Sequence, residues 1–230
     1  MPKKKLIHFR ENLTFPYLFQ PKYEELHPSF RLKGSWHDGF FRNDNPITLE
    51  AGCGKGEYTV ELAARHPDRN FIGIDLKGAR LWKGCKQVQQ QQLTNVAFIR
   101  TLVDHIERFF VPGEIAEVWI TFPDPQPKRE RRRLTAPVFL EKFSHILIPG
   151  GLIHLKTDNE ELYDYTIEIL QRDRHHLVWG TNDVYHSGTS EDVVSITTFY
   201  EKMWLDQGKK IGYLKFCLGP GKTQDTVNPT

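Results

Sequence analysis

The chain has 230 residues, enough for one large domain or two small ones, and its 39% hydrophobic content with 12% aromatics can fill a substantial core. The formal charge is only +2, from 31 basic against 29 acidic side chains, so affinity for a polyanion has to come from local clusters. No stretch approaches the roughly 18 apolar residues that cross a bilayer, and the three cysteines, Cys53, Cys85 and Cys217, are odd in number and lack CxxC spacing, which argues against a disulfide framework and for a reducing cytoplasm.

Residues 1–45 scatter Phe9, Phe15, Tyr17, Phe19, Phe30, Trp36, Phe40 and Phe41 among prolines without a clear period, which predicts an extended arm packed on the main domain. The lysines at 3–5 are followed by "LIHFRENLTF", where His8, Arg10, Glu11 and Asn12 break any secretory apolar run. From Pro46 short apolar runs alternate with amphipathic ones, the pattern of βα units around a mainly parallel sheet. Strands are expected at 47–51, 70–75, 96–103, 116–122 and 151–158, with helices at 57–66, 79–92, 136–147 and 160–173. Two more strands, at 175–180 and 209–218, flank a helix-like stretch at 197–207 and close the sheet as an antiparallel edge. The expected fold is α/β and Rossmann-like: a mainly parallel, seven-stranded sheet with an antiparallel last strand. The divisions are an arm at 1–45, a main domain at 46–218 and a flexible tail at 219–230.

"LEAGCGKGE" places Gly52, Gly54 and Gly56 between the first strand and the first helix, where glycines let the chain turn sharply and a ligand come close. A dinucleotide fingerprint needs glycine three residues after Gly54, where Glu57 stands, and a P-loop needs Lys followed by Ser or Thr, so a phosphate ligand is disfavoured. A nucleoside without phosphates remains, and S-adenosylmethionine suits it because its positive charges accept the nearby Glu50. Asp75, about 20 residues further on at the end of the second strand, is placed to accept ribose hydroxyls, and Asp104, read as the end of the third strand, lies where an adenine amino group can be met. Cys53 reads as a small loop filler, with no His or Asn placed to activate it.

The fourth strand runs into "TFPDPQPKRERRRL", in which Asp124 lies between Pro123 and Pro125 and is held in a narrow conformational range. Such a carboxylate can orient a nucleobase by accepting its N–H groups, and guanine offers two of them on one edge. A cluster of Lys128, Arg129, Arg131, Arg132 and Arg133 follows at once. Histidines 105, 145, 154, 175, 176 and 186 form no H-x-x-x-H or Cys/His pattern, so no metal is expected.

Between about Pro46 and Phe216 the chain resembles the bacterial tRNA (guanine-N(7)-)-methyltransferases. The resemblance rests on "LEAGCGKG", "GID" at 73–75, "FPDPQPKRERRRL", "KTDNEELY" at 156–163 and "TTFYE" at 197–201, of which the proline loop is the most specific. Gln126 stands where that family usually has Trp, and "KRERRR" replaces its "KKRH" character. The resemblance implies a class I methyltransferase fold and methylation of a guanosine in the tRNA variable loop. It places Glu50, Asp75, Asp104 and Asp124 at cofactor positions, with Asp124 also catalytic. Lys128, Asp158, Thr198, Phe199, Tyr200 and Glu201 match substrate contacts, and the stretch Glu130, Arg131, Arg132, Arg133, Leu134 and Thr135, beside Arg129, falls where the family touches RNA.

The N(7) atom of guanine carries a lone pair and no proton, so methyl transfer to it needs no general base, and positioning is expected to dominate. Two other readings stay open at this level: a methyltransferase of the same fold acting on a small molecule or a protein, and a non-catalytic RNA-binding protein. Monomer and homodimer are equally compatible with the sequence.

Overall fold

The computed structural model describes residues 3–219, so the expected tail from residue 220 onward lies outside the described residues. The central sheet is built as anticipated, by apolar runs that become strands buried on both faces: β2 (Ile47–Ala51), β3 (Asn70–Ile74), β4 (Val96–Ile99), β5 (Ile115–Thr121) and β6 (Leu147–Thr157). Helices α2 (Glu57–Arg65), α3 (Gly78–Gln91), α4 (Pro137–Ile146) and α5 (Glu160–Arg172) supply the crossovers. The edge is completed by β7 (His176–Thr181) and β8 (Gly212–Cys217), which enclose α6 (Glu191–Ser195) and α7 (Phe199–Leu205).

The seven expected strands are all present, and an eighth joins them from the arm: β1 (Leu18–Phe19) pairs in parallel with β4. The order is β1-β4-β3-β2-β5-β6-β8-β7, and β8 alone runs against the direction of the other strands. Strand order reverses between β2 and β5, so the crevice at their carboxyl ends is the ligand position that this topology favours.

Two boundaries differ most from expectation. Strand β4 stops at Ile99 because its neighbours end there: Arg100 N donates to Phe19 O at the end of β1, and Asp75 N donates to Ile99 O. Asp104 therefore sits on a 3-10 turn (Val103–Arg108) and not at a strand end. Strand β6 begins at Leu147, directly after α4, and its register against β5 shifts between Ile115 and Glu117.

The arm is not extended throughout. It opens in α1 (Lys3–Asn12), which docks on α3 through Asn12 Nδ2 donating to Gly78 O (2.8 Å), Trp82 Nε1 donating to Glu11 (2.7 Å) and His8 stacked on Trp82 (3.9 Å). Its second half feeds an aromatic cluster in which Trp36 is wholly buried and donates Nε1–H to Phe109 O (3.0 Å). Phe19, Phe30 and Phe41 join that cluster on the sheet face covered by α4 and α5, whereas α2, α3 and residues 184–196 cover the other face. Among the described residues no helix is long and apolar enough to cross a membrane.

Candidate active site

At the end of β2 the chain folds back over β3, with Gly52 N and Cys53 N both donating to Ile74 O at 2.9 Å. Gly52, Gly54 and Gly56 adopt φ of +79°, +58° and +70°, backbone that side chains rarely tolerate. Their surroundings differ. A Cβ on Gly54 would meet nothing and one on Gly52 only Leu134 Cδ1 at 3.5 Å, so both border open space. A Cβ on Gly56 would lie 2.6 Å from the Phe98 ring, so Gly56 is a packing glycine, a correction to its expected part in ligand approach. Asp75 closes the loop from below: its Oδ2 accepts from Gly54 N (3.1 Å) and its Oδ1 from Lys77 N (2.6 Å).

Glu50 is buried beneath this loop and accepts from Thr59 N (2.9 Å), from the Thr59 hydroxyl and from Thr121 Oγ1 (2.6 Å). Burial raises its pKa to about 7 although the three donors pull it down. It is thus poised to ionise near neutrality, and an opposed cation would favour its anionic form. The buried Cys53 thiol is pushed well above its ordinary value, first by desolvation and then by Glu50 and Asp75, which leaves it a loop filler and no nucleophile.

Strand β5 delivers Thr121 and Phe122 to the same edge. Phe122 N donates to Lys156 O (2.8 Å), and Phe122 and Gln126 take φ of 46° and 47°, so a left-handed residue bounds Pro123–Asp124–Pro125 on each side. Asp124 is exposed, and its Oδ1 accepts from Gln126 N (3.1 Å), which ties the carboxylate into the turn.

The cation run divides sharply. Lys128, Arg129, Glu130, Arg131 and Arg132 are exposed, with Arg132 3.2 Å from Asp104. Arg133 is buried: its Nε donates to Pro125 O (2.9 Å), it pairs with Glu161, and its guanidinium lies 4.4 Å above the Tyr165 ring. Thr135 is buried against Thr166 Oγ1 (2.8 Å), and Leu134 is half-buried beside Gly52. The expectation that Arg133 and Thr135 touch RNA is thereby corrected, because both are buried and anchor the loop instead. Asp104 faces Arg132 and does not line the cleft with Glu50.

A second wall comes from α7. Thr198 Oγ1 accepts from Glu201 N (3.1 Å) and Glu201 Oε2 accepts from Thr198 N (3.3 Å), a reciprocal cap. Phe199 N donates to Glu57 Oε1 (3.1 Å), and Lys55 Nζ lies 4.0 Å from the Phe199 ring centre and 5.1 Å from that of Tyr200. Thr198 and Tyr200 thereby line one cleft with Glu50, Gly52, Gly54, Thr121 and Phe122.

Glu201 is wholly buried, 2.6 Å from Lys156 Nζ, and accepts from Tyr185 OH (2.7 Å), so a direct substrate contact by its carboxylate is corrected. Burial holds the Lys156 ammonium below its ordinary value while Glu201 pulls it back up. Asp158 faces away, into a hollow of about 390 Å³ where Lys209 reaches it at 3.4 Å.

Larger hollows exist, such as one of about 470 Å³ bounded by Arg69, Glu117, Trp119 and His154 on the α2 face. The cleft is the better reaction site because the glycine loop and the buried acid meet there with Thr121 and Phe122, which lead into the proline loop, at the carboxyl ends of the strands. Among the described residues no three His, Cys, Asp or Glu side chains are grouped to hold a metal.

Thr59 and Thr121, which hold Glu50, were not anticipated, nor was Lys156. For Lys156 a signal existed: a lysine inside the apolar run "GLIHLKT", on a strand expected to be buried.

Residues 44–214 match the family Methyltransf_4, described as "Putative methyltransferase". The tRNA (guanine-N(7)-)-methyltransferase of Christiangramia forsetii is 49% identical over 218 residues, covering 93% of this chain and 97% of that protein. The enzyme of the same name from Bacteroides fragilis is 45% identical, covering 95% of this chain and 87% of its own. Among solved structures, a 16S rRNA (adenine(1408)-N(1))-methyltransferase from Catenulisporales acidiphilia, determined with SAM, superposes with a TM-score of 0.58 at 12% identity, over 82% of this chain and 92% of that one. At that identity the likeness establishes the shared fold.

Proposed function

The chain belongs to the tRNA (guanine-N(7)-)-methyltransferase family, and on that premise we propose how its own residues divide the work of moving a methyl group from S-adenosylmethionine to guanine N(7), in the variable loop of tRNA. S-adenosylmethionine is the cofactor, and when bound it supplies a methyl on a sulfonium. The residues present fit it: the open faces of Gly52 and Gly54 leave room for a ligand backbone, and Glu50 and Glu57 in the cleft, with Asp75 bound to Gly54 N, supply acids suited to a cation beside Lys55 and Arg80 on the same lining. Glu50 supplies the charge opposite the cofactor's positive end, Asp75 holds Gly54 and offers its carboxylate to a ribose, and Gly56 keeps the loop closed on Phe98.

On the substrate side Asp124 is assigned to orient guanine. It starts two residues beyond Phe122, a wall of the cleft, and its conformation is fixed by two prolines and the bond from Gln126 N. The base carries no proton at N(7), so the chain has only to hold it in line with the methyl and keep its other edge engaged. Lys128, Arg129, Arg131 and Arg132 receive the phosphates that arrive with the base, and extruding that base costs about a few kcal/mol. Asp104 is assigned to the cofactor rim, once Arg132 turns to RNA. The arm of residues 1–45 serves as structural packing for the domain, a reading supported by the buried Trp36 and the α1–α3 contacts. Three free cysteines support a reducing cytoplasm.

The single observation that carries this reading is the convergence, at one sheet edge, of a buried acid under open glycines with a proline-held carboxylate and its run of exposed cations. The direct test is incubation with labelled S-adenosylmethionine and unmodified tRNA, followed by chemical cleavage at 7-methylguanosine; folded protein that forms none refutes it. Asp124→Asn is expected to lower kcat by about a hundredfold, the scale of a misplaced reactant, while both ligands still bind. Full turnover in that variant removes Asp124 from the reaction.

A further inference from the structure

Lys156 lies in β6 with no exposed surface, and its ammonium is the meeting point of four pieces of chain. Nζ is 2.6 Å from Glu201 in α7, and it donates to Tyr58 OH of α2 (2.7 Å), to Val193 O of α6 (2.5 Å) and to Ile196 O (3.3 Å). Glu201 is equally buried and is completed by Tyr185 OH and by the Thr198 backbone. Burying such an ion pair carries a large desolvation penalty for each charge, and apolar side chains of similar size often serve stability as well or better. What this pair does that apolar packing would not is fix position. Every hydrogen-bond and ion-pair partner of the Lys156 ammonium outside α2 belongs to residues 193–201, the piece that ends in the Thr198 and Tyr200 wall of the cleft. Phe199 and Tyr200 are themselves exposed, with both rings near Lys55 Nζ and Phe199 N donating to Glu57.

We propose that Lys156 is a positioning residue for the methyl transfer: through Glu201 and the Val193 and Ile196 carbonyls it hangs the first turn of α7 over the glycine loop, and Glu201 serves turnover through this clasp without touching guanine. The inference rests on the methyl-transfer reading above and assigns a task to two buried charges that the reaction itself does not use.

The test uses the full chain and the variants K156M, E201L and K156M/E201L, the last of which leaves no unpaired ion in the interior. S-adenosylhomocysteine affinity, kcat, KM for tRNA and amide hydrogen exchange over residues 193–202 are measured on each. Both single variants are expected to lose kcat by about tenfold to a hundredfold, the penalty for a cleft wall displaced by about 1 Å. KM for tRNA should stay within about twofold, since no substrate contact is removed. Exchange over residues 193–202 should rise while β2 to β5 stay protected, and the double variant should be no worse than the poorer single one, because the two charges act as a unit.

The proposal is overturned if E201L raises KM for tRNA as strongly as it lowers kcat, if the two losses multiply in the double variant, or if K156M leaves the exchange unchanged. Should K156M and E201L fail to fold, Y185F removes one hydrogen bond from Glu201 and decides the matter: kcat down by about threefold at constant KM supports the clasp, and unchanged kcat refutes it. If the unaltered chain forms no 7-methylguanosine, the methyl-transfer reading fails, and the clasp is judged on exchange and S-adenosylhomocysteine affinity alone.

Discussion

The two loops that meet at the carboxyl edge are built on opposite plans. The glycine loop is held by its own backbone, by Ile74 O and by Asp75, with its acid buried beneath it. The proline loop holds its acid and four cations outward and is anchored by one buried guanidinium, Arg133. The first plan suits a small cationic ligand that is to be enclosed. The second suits a large polyanion that docks from outside, where desolvating every charge in advance would cost too much.

The contrast is broken most violently inside the glycine loop. Gly56→Ala sets a Cβ 2.6 Å from the Phe98 ring and 3.6 Å from Gly84 Cα at φ +70°, and is expected to destabilise the fold by about 2–4 kcal/mol. Gly54→Ala keeps open space around its Cβ and should cost only about 1 kcal/mol from backbone strain. The order reverses for S-adenosylmethionine affinity, where Gly54→Ala is the damaging change. Thermal melts with and without cofactor separate the two, and equal loss of stability in both variants would deny the distinction between a packing glycine and an approach glycine.

Next comes the anchor of the other loop. Arg133→Met removes a donor to Pro125 O and the pairing with Glu161 while keeping most of the apolar stem, with an expected cost of about 2–3 kcal/mol. Its KM for tRNA should rise even though Arg133 never meets RNA, since the loop bearing Asp124 and Arg131 loses its register. A variant that melts earlier but keeps its KM would show that the loop is shaped by its prolines alone.

How much of this could be read beforehand follows the same divide. The parallel strands were legible because apolar runs of four to seven residues repeat between amphipathic helices, and the glycines and Asp75 were legible from their place after β2 and β3. Strand β1 was not, since two residues carry no period, and α1 owes its helix to docking on Trp82 and Gly78. Within "RRR" nothing local distinguishes Arg133 from Arg131 or Arg132; Tyr165 and Glu161, some thirty residues later, decide it. Thr198 and Glu201 are expected as substrate contacts by resemblance, yet T-x-x-E ahead of an apolar stretch is also a capping signal, and that is the arrangement found. Gly56 needed Phe98 to reveal its task.

A milder probe of the enclosed half is pH. Glu50 has its pKa raised to about 7 by burial, so it is neutral below that value and anionic above it. A cation favours the anion, and S-adenosylmethionine affinity is expected to fall by up to about tenfold for each pH unit of acidification below 7. Stability runs the other way. A carboxyl whose folded pKa lies above its unfolded value contributes stability that is present below the unfolded pKa and is lost as pH rises through about 7. Calorimetry in two buffers should detect a proton released on cofactor binding near pH 6.5. In Glu50→Gln both trends should vanish, and a pH dependence that persists there belongs to another group.

The smallest effects fall on the open half, where they discriminate best. Arg132 is paired with Asp104 at 3.2 Å and Arg131 has no ion-pair partner among the described residues. Both are exposed, so Arg131→Gln and Arg132→Gln should each alter stability by about 1 kcal/mol or less. If both reach phosphates, each substitution reduces the log–log salt slope of tRNA binding by about 0.7–0.9. The pair with Asp104 then has to open as RNA arrives, so the affinity lost with Arg132 should be the smaller of the two, by the exposed pair's worth of about 0.2–1 kcal/mol. Asp104→Asn should sharpen the difference by freeing Arg132, raising tRNA affinity slightly while lowering that for the cofactor. Equal losses for the two arginines, unaffected by Asp104→Asn, would mean that the ion pair holds Arg132 back by nothing measurable, and an unchanged cofactor affinity in Asp104→Asn would remove Asp104 from the cofactor rim.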